Sequence, residues 1–119
     1  MNLGRVSSAA LMLSGAAGAF VPTKVAEALD LPATSGRGLA ETRAGLGGTY
    51  AALGAWALVS RHPAARIAVG VTWLGAAAAR LGALAVDEPE TDATYWAYLA
   101  AELGLGTAAI ASARRQGRP

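Results

Sequence analysis

The chain of 119 residues contains no cysteine, one histidine and few charged residues, only 15% of the total. Without cysteine there are no disulfides, thiolate metal sites or cysteine nucleophiles. With His62 as the sole imidazole, most histidine-based metal and triad chemistry is excluded as well. Soluble domains carry roughly 25% charged residues, and a chain with so few has little with which to cover a water-facing surface. What it has instead is small and apolar. Hydrophobic residues make up 54%, 15 residues are glycine, and the mean hydropathy is +0.37. The length fits one domain.

The charges are unevenly placed. Between Arg5 and Lys24 lie 18 uncharged residues, and between Arg43 and Arg61 lie 17. A third apolar stretch, Ile67 to Val86, is broken only by Arg80, and a fourth, Ala93 to Ala113, only by Glu102. A membrane-crossing helix needs roughly 17–25 predominantly apolar residues, so four spans are expected, at about 4–21, 39–60, 64–86 and 93–113. Alanine, leucine and glycine without alternation argue against strands. The expected architecture is all-α: one four-helix transmembrane bundle of up-down topology covering residues 1–119.

Prolines mark the divisions. Pro22 closes the first stretch, since proline lacks an amide hydrogen and disfavours helix in the residue before it. Pro63 stands where the third helix should start, and Glu88-Pro89 breaks the chain after it. The connection Thr23–Gly38 ends in a Ser-Gly-Arg-Gly turn. It carries Val25, Ala28, Leu29 and Leu31 beside Lys24, Glu27 and Asp30, which predicts one short amphipathic turn lying at the interface.

With four spans, Arg5, Arg61, Arg66, Arg114, Arg115 and Arg118 share one side. The other side has Lys24 and Arg37 with the acidic loop Asp87, Glu88, Glu90 and Asp92. The excess of arginine places both termini on the cytoplasmic side of the membrane. Tyr95, Trp96 and Tyr98 then fall at the outer interface, where amphipathic rings anchor. Two other readings fit less well. Ala17-Gly18-Ala19 has the form of a signal-peptide cleavage site, but the apolar core before it is short, so the first helix is expected to stay. A soluble helical bundle needs a polar stripe on each helix, and Ala44–Ser60 offers little of one. The formal charge of +2 sits at membrane edges rather than on one clustered face, so nucleic acid is not an expected partner. The acidic run from Asp87 to Asp92 lacks the ligand spacing of a calcium loop, and no metal site is expected.

Four ionisable residues fall inside the spans: Glu41, Arg43, Arg80 and Glu102. A charge at depth costs at least ~2.5–3.5 kcal/mol on insertion scales, so such residues face the interior and pair. At about 1.5 Å of rise per residue, Glu41 and Arg43 lie roughly 3–6 Å from the outer boundary, Arg80 about 9 Å and Glu102 about 13 Å. Their charges sum to zero. Arg80 is expected to pair with Glu102, joined by Glu41 or Arg43. Tyr95, Tyr98 and Glu102 form one helical stripe, and Gly45, Gly47 and Gly48 allow close helix approach, within the bundle or in a homo-oligomer.

The run Glu41-Thr42-Arg43-Ala44-Gly45-Leu46-Gly47-Gly48, followed by Ala79-Arg80-Leu81 and Glu102-Leu103, resembles a bacterial family of small four-helix membrane proteins catalogued as domain of unknown function 4345. The likeness covers essentially the whole chain. Leu46 departs from it, standing where that family often has an aromatic residue, with Tyr50 one turn on. In layout the chain is more distantly similar to DoxX-type membrane proteins. The resemblance implies a four-helix fold, a location in the bacterial cytoplasmic membrane, and no activity.

Three functions are compatible with these residues. One is a non-catalytic pocket for a small amphipathic or lipid-like molecule, oriented by Arg43, Arg80 and Glu102 with Tyr50, Trp73 and Tyr98 as walls. Plainer roles for these are ion pairing, core packing for Trp73 and interface anchoring for Tyr98. The second is a membrane-embedded isomerase, cyclase or hydrolase with Glu102, Arg80 or Glu41 as catalytic groups. The third is an accessory subunit packing through glycine and alanine faces. No cofactor is named by any pattern in the chain.

Overall fold

In the computed structural model, which describes residues 2–118, all regular structure is helical. Helix α1 runs over Leu3–Phe20, α2 over Pro22–Ala28, α3 over Gly36–Thr42, α4 over Thr49–Val59, α5 over Pro63–Val86 and α6 over Ala93–Gln116. Between α3 and α4 the backbone stays helical but widens to a π-helical stretch, Arg43–Gly48. The chain divides into two compact units. One comprises Met1–Ser7 and Arg61–Pro119, the other Ser8–Ser60.

The helix ends follow from local chemistry. Phe20 ends α1, and Pro22 serves the next helix as its first residue, so the chain bends by 114° between α1 and α2. At the end of α2, Leu31 N–H donates to the Ala26 carbonyl and Asp30 N–H to that of Glu27, a Schellman closure. It requires Asp30 at φ 55°, where glycine is usual. Ser35 caps α3 by accepting from Gly38 N–H at 3.0 Å, and Asp92 caps α6 by accepting from Tyr95 N–H at 2.9 Å. The Ser-Gly-Arg-Gly segment expected as a turn is thus a cap followed by the first helical turn. An oxygen in the serine side chain decides this over the low helix propensity of the glycines. Asp92→Ala is expected to lower stability by about 1 kcal/mol, read as a fall in thermal midpoint with no change in helix content.

In the unit Ser8–Ser60, α1 lies against the π stretch and α4 along a row of small residues. A Cβ on Gly15 would stand 2.1 Å from Ala51 N and 2.6 Å from the Gly47 carbonyl oxygen, and one on Gly54 would stand 2.4 Å from Met12 N. The backbones touch, which side chains would prevent. The π register leaves its mark at Thr49, whose backbone N–H and side-chain hydroxyl both donate to the Ala44 carbonyl five residues back. In the other unit, α5 and α6 form an antiparallel pair joined by the acidic loop. Gly70 and Gly106 face each other there, a Cβ on either lying about 3 Å from the other's carbonyl oxygen. The first turn of α1 is tied to this pair. Ser7 Oγ donates to the Leu105 carbonyl at 2.7 Å, and the Trp73 indole N–H donates to the Ser7 carbonyl at 3.4 Å.

Helices occupy the four places where spans are expected, but among the described residues only α5 is by itself long and apolar enough to cross a bilayer. A second candidate arises if α1 and α2 count together despite their bend. Four crossings therefore do not follow from length and apolarity. Alanine and glycine add little hydropathy per residue, the second stretch opens with Arg37, Glu41 and Arg43, and α6 carries Glu102. Alanine makes up most of the buried core. Ala57, Ala65, Ala77, Ala109 and Ala113 are at most 2% exposed, with Leu11, Val69 and Leu99 also buried, while Phe20, Val59 and Val86 are each 81% exposed.

Candidate functional site

Arg80 and Glu102 reach each other because α5 and α6 run antiparallel. The Arg80 Nε–H donates to both Glu102 carboxylate oxygens, at 2.8 and 3.0 Å. Glu102 is buried, and the Arg80 side chain is 26% exposed. The pairing expected from the two lone charges is present.

Two tyrosines on the Glu102 face of α6 complete the cluster. Tyr95 donates its hydroxyl to the Arg80 carbonyl at 2.8 Å. The guanidinium carbon lies 5.6 Å from the centroid of the Tyr95 ring and 5.2 Å from that of Tyr98. Such contacts contribute about 0.5–1 kcal/mol each at exposed sites, more when desolvated. Trp96 sets its ring edge-on against Tyr95, with centroids 5.6 Å apart, and remains half exposed. Glu102 occupies only Nε. The terminal nitrogens of Arg80 have no hydrogen-bond partner among the described residues and are not sealed from the surroundings. They present donors in the planar fork that matches carboxylate or phosphate oxygens.

The remaining candidates are engaged otherwise. Glu41 is exposed and paired with Arg37 at 2.8 Å, one turn earlier on the same helix. It is a solvated i, i+4 pair, worth a few tenths of a kcal/mol. Glu41 therefore has its partner on its own helix, which begins at Gly36, and not in the Arg80–Glu102 pair. Arg43 donates from Nη1 to the carbonyl of Ala19, in the last turn of α1, where carbonyls lack helical partners and the dipole favours a cation. Tyr50 is half-buried on α4. Trp73 is a structural tie to Ser7. His62 caps α5 through Nδ1. Among the described residues no group of three or more His, Asp or Glu side chains gathers as a metal site would require.

Tyr95 is the residue whose part in the cluster sequence reasoning understated. Its position seven residues before Glu102 and three before Tyr98 carries the signal, because those offsets share a helix face. Comparison with protein-family models, with characterised proteins and with solved structures finds no match to this chain.

Proposed function

We propose that this is a small integral membrane protein that holds the anionic head of an amphipathic or lipid-like molecule against Arg80. The observation that carries the membrane reading is the exposure of many of its large apolar side chains. In water, large apolar residues are among those most often fully buried. Here alanine, glycine and serine fill most of the helix contacts, with Leu11, Val69 and Leu99 the large apolar residues buried among them, while Phe20, Val59, Val71 and Val86 are each more than half exposed. Only 17% of the apolar window of α5 is buried within the molecule, whereas a soluble core helix is mostly buried. Lipid removes the cost of such a surface and leaves close packing of small residues to hold the helices. The asymmetry of arginine supports termini on the cytoplasmic side. Under this reading all four helical stretches cross, and the likeness in the Glu41–Gly48 run marks a shared way of packing helices.

The ligand reading rests on the terminal nitrogens of Arg80, held between Tyr95 and Tyr98 with the other edge of the guanidinium neutralised by Glu102. An oriented guanidinium fork between two aromatic rings suits the head of a long-chain carboxylate or a related amphiphile. The enzyme reading has less support, because Glu102 is buried and engaged by Arg80.

The protein is expected to sediment with membranes, to resist high salt and to need detergent for extraction. Purified in micelles, it should bind a spin-labelled fatty acid, and Arg80→Lys should weaken that binding about tenfold, since an ammonium keeps the charge but loses the fork. Release into plain buffer as a stable monomer would overturn the membrane reading. Fatty-acid binding indifferent to Arg80→Lys would overturn the assignment of the site.

A further inference from the structure

Arg66, one turn into α5, is 9% exposed. Its Nη1 donates to Ser112 Oγ at 3.2 Å, and the Ser112 hydroxyl donates to Asn2 Oδ1 at 3.2 Å. Its Nε is buried with no hydrogen-bond partner. No aspartate or glutamate occurs between residues 61 and 86 or between 103 and 118. The ends of α5 and α6 that meet here therefore carry Arg61, Arg66, Arg114, Arg115 and Arg118 with no carboxylate of their own. A neutral serine hydroxyl does not balance a buried guanidinium. A buried charge without a counter-charge is strongly unfavourable, and an unpaired buried donor adds its own penalty.

Arg66 opens onto a cavity of about 620 Å³, lined also by Asn2, Leu3, Ser112, Arg115 and Gln116. Every polar side chain around it either donates or is neutral. Arg115 also lines a second cavity of about 520 Å³, whose walls are Leu74, Thr107, Ile110 and Ala111, with Arg114 and Arg118 beside Arg115. One arginine thus joins a cationic chamber to a largely apolar groove that runs along α6. The two cavities sit at the arginine end of α5 and α6, many helical turns from the loop Asp87–Asp92.

We infer that this end of the molecule binds an anionic phospholipid, with the phosphate between Arg66 and Arg115 and part of an acyl chain in the groove beside Ile110. The phosphate supplies the negative charge that the buried guanidinium of Arg66 lacks. Planar guanidinium forks match a phosphate diester in two-point geometry. The groove distinguishes a lipid from a free anion, because inorganic phosphate has no use for Leu74 and Ile110. Basic pockets at the cytoplasmic ends of membrane helices suit such headgroups. The source of the phosphate rests on the membrane reading above. The cationic chamber does not.

The test is a titration of the purified full-length chain with short-chain phosphatidylglycerol, short-chain phosphatidylcholine and inorganic phosphate, followed by native mass spectrometry. Phosphatidylglycerol is expected to bind at least about tenfold more tightly than phosphatidylcholine, with affinity falling as salt rises. Arg66→Gln and Arg115→Gln should each weaken it about tenfold, the loss of one charge-assisted contact. Arg115 is exposed, so its variant keeps the test open if Arg66→Gln fails to fold. Equal binding of the two lipids, or no effect of Arg115→Gln, overturns the site. Inorganic phosphate binding where phosphatidylglycerol does not would overturn the lipid. Because the probes are water-soluble, the titration runs equally in plain buffer, so a failure of the membrane reading and a failure of this site give separate results.

Discussion

Glu102→Leu alone is expected to cost the fold about 3–5 kcal/mol, and adding Arg80→Met is expected to restore most of that loss. The asymmetry comes from what each variant leaves behind. The single change strands a guanidinium whose Nε has lost both acceptor oxygens, in surroundings with no other carboxylate on α5 or α6. The double change removes both charges and leaves two flexible apolar side chains of similar bulk. A third variant, Tyr95→Phe, removes the hydroxyl that donates to the Arg80 carbonyl and should cost about 1 kcal/mol, the ordinary value of a neutral hydrogen bond. Thermal denaturation of the purified protein and its three variants measures all of these. A Glu102→Leu protein as stable as wild type, or a double variant worse than either single one, would show that the pair does not act as a neutral unit.

Placing a leucine at Gly15 or Gly54 is expected to abolish the packing of α1 on α4, at a cost of about 3 kcal/mol or more. The clash is with main-chain atoms. At Gly15 the first added carbon already lies 2.1 Å from Ala51 N, and at Gly54 it lies 2.4 Å from Met12 N. A neighbouring side chain can rotate away, but a helix backbone moves only as a whole, and the contacts above and below move with it. Gly75, Gly82 and Gly104 have nothing within 4 Å of the same position. Alanine at any of these three should be neutral or stabilising by about 0.5–1 kcal/mol, because glycine in a helix interior carries an entropic penalty. Helix content and thermal midpoint across the five variants separate the two classes. A uniform response would mean that the glycine row is a matter of composition and not of contact.

Much of the helical layout is legible in the chain. Pro22, Pro63 and Pro89 punctuate it, and the ends of α5 lie within a residue of where Pro63 and Asp87 place them. The Arg80–Glu102 pair is legible too, since two opposite charges in otherwise apolar antiparallel helices have few other places to go. Glu41 and Arg43 are harder. Arg37 and Glu41 have the offset of an ordinary helix pair, but this is visible only once Ser35 is seen as a cap and Gly36 as helical. Glycine's low propensity argues locally for a turn, and the serine oxygen together with the packing of later residues overrides it. Arg43 finds the end of α1 because α1 stops at Phe20 just where the π stretch passes. No spacing within either segment encodes that meeting. The chamber at Arg66 escapes sequence reasoning for the same cause: its members come from the first residues, from α5 and from the last turns of α6.

The widened turn at Arg43–Gly48 has a geometric consequence of its own. A π turn holds more residues per revolution than an α-helix, so it acts as a phase slip: the side-chain directions before it and after it no longer follow one continuous spiral. The lead-in segment can therefore keep Arg37 and Glu41 turned to the outside while Gly47, Ala51 and Gly54 stay aligned on their neighbour. Two incompatible demands of azimuth are met within one continuous run of helical backbone, and the glycines allow the slip because they have no side chains to misdirect.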